Sequence, residues 1–318
     1  MTLNLRSATG SSTAYLFPGQ GSQSVGMGKE LYDNSEAAKA VFKEVDSALG
    51  RPLTDLLFNG PEDALKETVN AQPAIMAVSL ACIKAMQEQL ADSDMPTVAA
   101  IAGHSLGEYT ALAVAGVLDI SQTTWLVNAR SEAMQKACEE NPGTMAAILG
   151  LDEMTMAEIS HQTGTYVSNV NTSEQIVISG GRLAVAQALD LASVRGARKA
   201  IPLQVAGAFH SSLMEPAQSK LIDAVDQLQF KDPVIPIIAN CTGKPLTSSE
   251  SVKQELISQI SACVQWKRSI DYMVNMGISN FIEIGPGKVL NGMVKRIDRS
   301  ANISSISNVD SILRLRRN

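Results

Sequence analysis

Histidine is scarce in this 318-residue chain: His104, His161 and His210 are the whole supply. None stands at helical spacing from another metal ligand, so no metal site is expected. Cysteine is almost as rare. Cys82, Cys138, Cys241 and Cys263 are scattered without a CxxC pair, which argues against a zinc ribbon and reads as reduced thiols in a cytoplasmic protein. Positive charge is in deficit, with 26 Lys and Arg against 32 Asp and Glu and a net charge of −6. Phosphate neutralisation needs the opposite balance, so nucleic acid is not an expected partner. Long hydrophobic runs are missing too. The longest, residues 75–86 and 111–117, fall short of the roughly 18 residues that span a bilayer, so no membrane association is expected. Residues 1–13 carry one Arg and no apolar stretch, unlike a secretory signal. With 45% hydrophobic and 18% charged residues, the chain still has material for a sizeable core, in one large domain or two smaller ones.

What is present has a clear order. Ala14-Tyr15-Leu16-Phe17 reads as a short buried strand ended by Pro18-Gly19 and the turn Gln20-Gly21-Ser22-Gln23. Over residues 72–90, Ile75, Cys82, Ile83, Met86 and Leu90 share one helical face. Pro96 opens the small apolar run Val98-Ala99-Ala100-Ile101-Ala102, a buried strand that runs through Gly103-His104-Ser105-Leu106-Gly107 into a helix over 108–117. Composition shifts at Asn141-Pro142-Gly143. Strands are then predicted over 145–149, 166–170, 175–179 and 199–205, with helices over 153–161 and 183–194. That βαββαβ order is ferredoxin-like, and residues 143–204 read as a small subdomain inserted in a larger α/β body, residues 1–142 and 205–318. The body resumes with a helix over 213–228, a strand over 234–239, a helix over 252–261, a strand over 280–284 and a helix from Val289. Between the last two, Gly285-Pro286-Gly287 lacks GxGxxG spacing and reads as a structural turn.

Gly103-His104-Ser105-Leu106-Gly107 matches GxSxG, the nucleophile elbow. A serine in a sharp strand-to-helix turn needs neighbours without Cβ, and the helix N-terminus favours developing negative charge. Such a serine needs a base. His104 adjoins Ser105 and should pack or hydrogen-bond beneath the turn, while His161 reads as a solvated helix end. His210, in the small-residue loop Ala206-Gly207-Ala208-Phe209-His210-Ser211, is favoured by elimination, with a backbone-satisfied loop histidine as the competing reading. Arg130 in a helix over 124–134 reads from sequence alone as an exposed helix cation. Asn169 and Asn171, at a strand end, are either turn formers or polar groups of a cleft.

Four blocks together resemble the malonyl-CoA:acyl carrier protein transacylases: Phe17-Pro18-Gly19-Gln20-Gly21-Ser22-Gln23, Gly103-His104-Ser105-Leu106-Gly107-Glu108, Gly207-Ala208-Phe209-His210-Ser211 and Glu283-Ile284-Gly285-Pro286-Gly287. The resemblance runs from about Tyr15 to Arg296. It implies an α/β-hydrolase-like parallel-sheet core carrying the ferredoxin-like subdomain, and transfer of malonyl from coenzyme A to the phosphopantetheine thiol of acyl carrier protein. It further implies Ser105 as the acylated nucleophile, His210 as base and then acid, and the backbone N–H groups of Gln20 and Leu106 as oxyanion hole. The carbonyl of Gln265 is implied as the group orienting His210. Arg130 is implied to pair with the malonyl carboxylate, because a guanidinium fork grips a buried carboxylate bidentately and disfavours acetyl. Phe209 is implied in malonyl selectivity.

On this reading coenzyme A enters only as the thioester substrate, no cofactor is permanently bound, and holo acyl carrier protein is a transient partner of a monomer. Both partners are anionic, so Arg195, Arg198 and Lys199, and Lys288, Lys295, Arg296 and Arg299, are docking candidates or ordinary solvated charges. Three alternatives stay open. A serine esterase or thioesterase on the same elbow would need an acid between Ser105 and His210, where Asp152 and Asp190 stand in the small subdomain. An acyltransferase of a polyketide pathway and a non-catalytic acyl-binding protein are the others.

Overall fold

The computed structural model describes residues 10–317, so the leader reading lies outside it for residues 1–9. Strand β1 (Thr13–Phe17) comes first, and four helices follow: α1 (Lys29–Asn34), α2 (Glu36–Leu49), α3 (Leu53–Asn59) and α4 (Glu62–Lys66). Sequence reading assigns none of the four. The signals for α2 were nevertheless local: Ser35 accepts from the Ala38 N–H at its start, and Gly50 closes its end in the left-handed region.

Helix α5 (Thr68–Gln89) begins earlier than residue 72. Pro73, inside the helix, has no N–H to donate four residues back. The Val69 carbonyl it leaves free accepts instead from Arg51 Nη2 at 2.8 Å, and the helix continues through. Its 22 residues are long and apolar enough to cross a membrane, which corrects the reading that no such segment exists. That apolar window is 94% buried inside the protein, where α5 packs against α2 and α7 (Ile120–Glu140). A helix apolar on every side is what a core position asks for.

Strand β2 (Ala100–Gly103) and helix α6 (Leu106–Val114) flank the elbow. The inserted unit comprises β3 (Thr144–Leu149), α8 (Glu153–Thr163), β4 (Tyr166–Thr172), β5 (Gln175–Gly180), α9 (Arg182–Val194) and β6 (Lys199–Pro202). Its sheet order, β4-β5-β3-β6 and antiparallel throughout, is ferredoxin-like. Ile148, Met156, Ile159, Ile178 and Ala188 form a core of its own. After it come α10 (Glu215–Asp226), β7 (Ile237–Ile238), β8 (Pro245–Leu246), α11 (Ser249–Gln259), α12 (Trp266–Asn275), β9 (Asn280–Ile284), α13 (Val289–Ile297), β10 (Asn302–Ile306) and α14 (Val309–Leu313).

The large sheet has the order β10-β9-β1-β2-β7-β8, parallel except at the β7–β8 hairpin. The strand expected over 234–239 shrinks to two residues because Pro236 cannot donate to a ladder, though its carbonyl accepts from Ile101 N–H at 3.0 Å. Backbone bonds stitch the two units beside the carboxyl ends of β1 and β2: Val170 N–H to the Val264 carbonyl at 2.9 Å, and Val264 N–H to the Ser168 carbonyl at 2.8 Å. The crevice beyond the strand ends of such a sheet is where ligands bind.

Candidate active site

Ser105 stands between β2 and α6 with φ 51° and ψ −106°. The flanking glycines are required by packing. A Cβ on Gly103 would lie 1.8 Å from the Gly107 carbonyl carbon, and one on Gly107 would lie 2.0 Å from the Phe17 carbonyl oxygen. The elbow is also tied from outside: Ser105 N–H donates to Asn240 Oδ1 at 2.7 Å, and Asn240 Nδ2 donates to the Gly103 carbonyl at 2.7 Å. Leu106 opens α6, where the N–H groups have no partner within the helix. It lines a cleft of about 430 Å³ together with Gln20, which lies in the turn after β1.

His210 reaches Ser105 from the loop after β6. Its Nε2 lies 2.8 Å from Ser105 Oγ. Its Nδ1 lies 2.8 Å from the carbonyl of Gln259, not of Gln265, which corrects the orienting residue. The reason is where α11 stops: Gln259 is its last residue, so its carbonyl has no helical donor and is free to accept. Gln265 instead precedes α12, with its N–H on the Asn240 carbonyl at 2.7 Å. With Nδ1–H donating to Gln259, Nε2 carries the lone pair toward the hydroxyl. Burial, reinforced by the nearby Arg130 charge, pushes the His210 pKa down to about 3, so the ring is neutral at ordinary pH.

Arg130 is the opposite of an exposed helix cation. It is 1% exposed, with Nη1 on Gln72 Oε1 at 2.6 Å and Nη2 on Gln259 Oε1 at 3.0 Å and on Ser105 Oγ at 3.2 Å. Its guanidinium carbon lies 4.9 Å from the centre of the Tyr109 ring, and Nε has no protein partner. Beneath the elbow, Glu108 Oε1 accepts from both Asn240 N–H groups, at 2.9 and 3.0 Å, and Oε2 accepts from Gln259 Nε2 at 2.6 Å. Burial, then the neighbouring Glu255, pushes the Glu108 pKa up, while those donors and Arg130 oppose the rise.

Asn169, Asn171 and Phe209 all line the cleft. Asn171 Oδ1 lies 2.9 Å from His104 Nε2, and the His104 ring tilts against Trp266 at 5.4 Å, so His104 packs at the wall of the cleft. His161 is exposed at the end of α8. Asp152 caps α8 through the Thr155 N–H and Asp190 is exposed on α9; neither approaches His210. Among the described residues no group of three His, Cys, Asp or Glu is placed to hold a metal. Sequence reading missed Gln72, Asn240 and Gln259, which come from three distant segments. Glu108 had a signal, since it follows the elbow and lies three residues on from Ser105.

The basic candidates divide. Arg198, Lys199, Lys295, Arg296 and Arg299 line one groove, which shares Gln175 with the cleft. Arg195 is absent from that groove and pairs with Glu158 at 3.3 Å, while Arg198 pairs with Glu174, which also lines the groove.

Residues 14–318 match the family model described as "Acyl transferase domain". The chain is 41% identical over 307 residues to the malonyl CoA-acyl carrier protein transacylase of Bacillus subtilis, covering 95% of each. The crystal structure of an acyl-carrier-protein-S-malonyltransferase from Bartonella henselae matches with a TM-score of 0.92 at 40% identity, over 96% of this chain and 98% of that one. A malonyl-transacylase solved in complex with its type II PKS acyl-carrier protein matches at 0.91 and 35% identity, over 96% and 99%.

Proposed function

We propose a route for the reaction from the premise that this chain belongs to the malonyl-CoA:acyl carrier protein transacylases, enzymes of fatty acid synthesis. The chain moves malonyl from coenzyme A to acyl carrier protein, and Ser105 carries it in between. Ser105 Oγ attacks the thioester carbonyl as its proton passes to His210 Nε2, the 2.8 Å contact on which the reading rests. The oxyanion takes the N–H groups of Gln20 and Leu106, each worth about 3 kcal/mol in the transition state. Collapse expels the coenzyme A thiolate, which takes the proton from His210. In the second half the phosphopantetheine thiol of acyl carrier protein gives its proton to His210 and attacks the serine ester; collapse breaks the bond to Ser105 Oγ, which takes that proton back from His210, and leaves malonyl on the carrier thiol. Coenzyme A is substrate and product throughout, and the route needs no resident cofactor.

Arg130 holds the free carboxylate of the malonyl group with its guanidinium, which lines the cleft beside Ser105. Phe209, Asn169 and Asn171 shape the acyl pocket. The groove of Lys199, Lys295, Arg296 and Arg299, beside the Arg198–Glu174 pair, receives the acidic face of acyl carrier protein, a charge match that the net negative chain offers locally. The setting we propose is the cytoplasm, with the chain acting as a monomer; four free thiols are consistent with a reducing compartment.

The absence of a carboxylate on His210 weighs against the esterase reading. Intact mass resolves it: malonyl-CoA alone should add one malonyl group to Ser105, and holo acyl carrier protein should then remove it intact. Turnover to free malonate without carrier, at a matching rate, would overturn the proposal.

A further inference from the structure

Arg130 is a buried cation whose hydrogen-bond partners are all uncharged. Gln72 Oε1 and Gln259 Oε1 accept from its two terminal nitrogens at 2.6 and 3.0 Å. A carboxylate is close, but the Gln259 amide stands between: its oxygen faces Arg130 while its Nε2 donates to Glu108 Oε2 at 2.6 Å. Glu108 therefore acts on Arg130 only at a distance. Gln72 has a similar polarity, because its Nε2 meets the Met134 thioether at 3.5 Å, a weak acceptor that leaves the amide oxygen for the guanidinium.

We propose that Gln72 and Gln259 are specificity-determining residues: two neutral amide oxygens fix the guanidinium in place while leaving it without a carboxylate in direct contact until the malonyl carboxylate arrives. The inference rests on the reading that Arg130 grips that carboxylate. A glutamate in either place would be nearly isosteric and would form an internal ion pair with Arg130. The malonyl carboxylate would then lose its water to meet an already neutral pair, whereas an acetyl group, carrying no charge, would lose little. The same logic sets a stability cost. A buried cation with no carboxylate in contact destabilises the free enzyme, and pairing it directly should raise the melting temperature as selectivity falls.

The test uses the full chain as parent, Gln72→Glu, Gln72→Met and Arg130→Ala. Each is assayed for Ser105 acylation by malonyl-CoA and by acetyl-CoA, and for melting temperature. Gln72 is the better probe because Gln259 also holds the Ser105 carbonyl through Nε2 at 2.9 Å. Gln72→Glu should lower the malonyl-to-acetyl rate ratio by about thirtyfold, on the order of 2 kcal/mol, and melt above the parent. Gln72→Met, which removes the clamp without adding charge, should slow both substrates and keep the ratio within about threefold. Equal changes of the ratio in the two variants, or a Gln72→Glu protein that melts below the parent or fails to fold, would overturn the inference. Arg130→Ala separates it from its premise. An unchanged ratio there sinks the carboxylate-gripping reading; a collapsed ratio there with an intact one in Gln72→Glu sinks the neutral clamp alone.

Discussion

Ser105 and His210 are the non-glycine residues with positive φ among those described, at 51° and 56°, and their side chains meet at 2.8 Å. Backbone strain therefore sits at the two residues that the chemistry brings together. Conformations of this kind cost of order 1–3 kcal/mol each and persist because the surroundings impose them. For Ser105 those surroundings are the Asn240 side chain, on its N–H, and the Gln259 side chain, on its carbonyl.

Removing the hydroxyl in two ways separates strain from chemistry. Ser105→Ala and Ser105→Gly should each lose malonyl transfer by on the order of 10⁴-fold or more. The glycine variant should be the more stable of the two, by about 1 kcal/mol in chemical denaturation, because alanine keeps the strained φ. Equal stabilities would show that the elbow carries no strain worth measuring.

The His210 pKa gives a pH dependence whose sign is fixed. Its folded value, about 3, lies below the ordinary histidine value, so between the two the unfolded chain binds a proton that the folded chain does not. This group's stability contribution is complete above about pH 6.5 and falls as pH drops toward 3, by up to about 1.4 kcal/mol per unit. Denaturation midpoints between pH 4 and 7 should fall for the parent and fall less steeply for His210→Asn. Over the same range, kcat/KM should show no acid limb near the ordinary histidine value.

The elbow was legible because strand, turn and helix are consecutive and the glycines are fixed by contacts under 2 Å or at it. The inserted subdomain was legible because its two helices and four strands alternate locally and bury a core of their own. What stayed hidden is what depends on distant segments meeting. Gln259 and Gln265 both stand near the junction of α11 and α12, and the choice between them turns on the residue at which α11 ends, a boundary that sequence periodicity locates poorly. Arg130 looks like a surface cation because one helix face reveals nothing of Gln72, 58 residues earlier, or Gln259, 129 residues later. Among the basic residues, only the fold shows that Arg198 lies on the groove and Arg195 does not, and that each is paired with a glutamate, Glu174 and Glu158.

Charge reversal on the groove should divide the two half-reactions. Arg296→Glu with Arg299→Glu should raise the KM for holo acyl carrier protein by about tenfold or more, with the effect shrinking at high salt. Acylation of Ser105 by malonyl-CoA should change by less than about threefold, since the groove lies outside the acyl cleft apart from the shared Gln175. Pre-steady-state measurement of each half-reaction checks this. Equal loss in both would move carrier docking elsewhere.

The same glycine-to-alanine change should have opposite signs at two sites. At Gly107 an added Cβ meets the Phe17 carbonyl oxygen at 2.0 Å and its carbonyl carbon at 2.7 Å, both backbone atoms of the adjoining β1 that cannot rotate away. Overpacking there forces β1 and α6 apart, and Gly107→Ala should cost at least about 3 kcal/mol and displace Leu106 from the cleft. Gly292 lies inside α13 with no atom within 4 Å of the added Cβ and without a positive φ. Alanine there should stabilise the protein by up to about 1 kcal/mol, through helix propensity and a less flexible unfolded chain. Denaturant midpoints for the pair decide the matter. Because α13 also carries Lys295 and Arg296, Gly292→Ala should leave carrier KM unchanged if the groove works by charge, and a changed KM would point instead to motion of that helix.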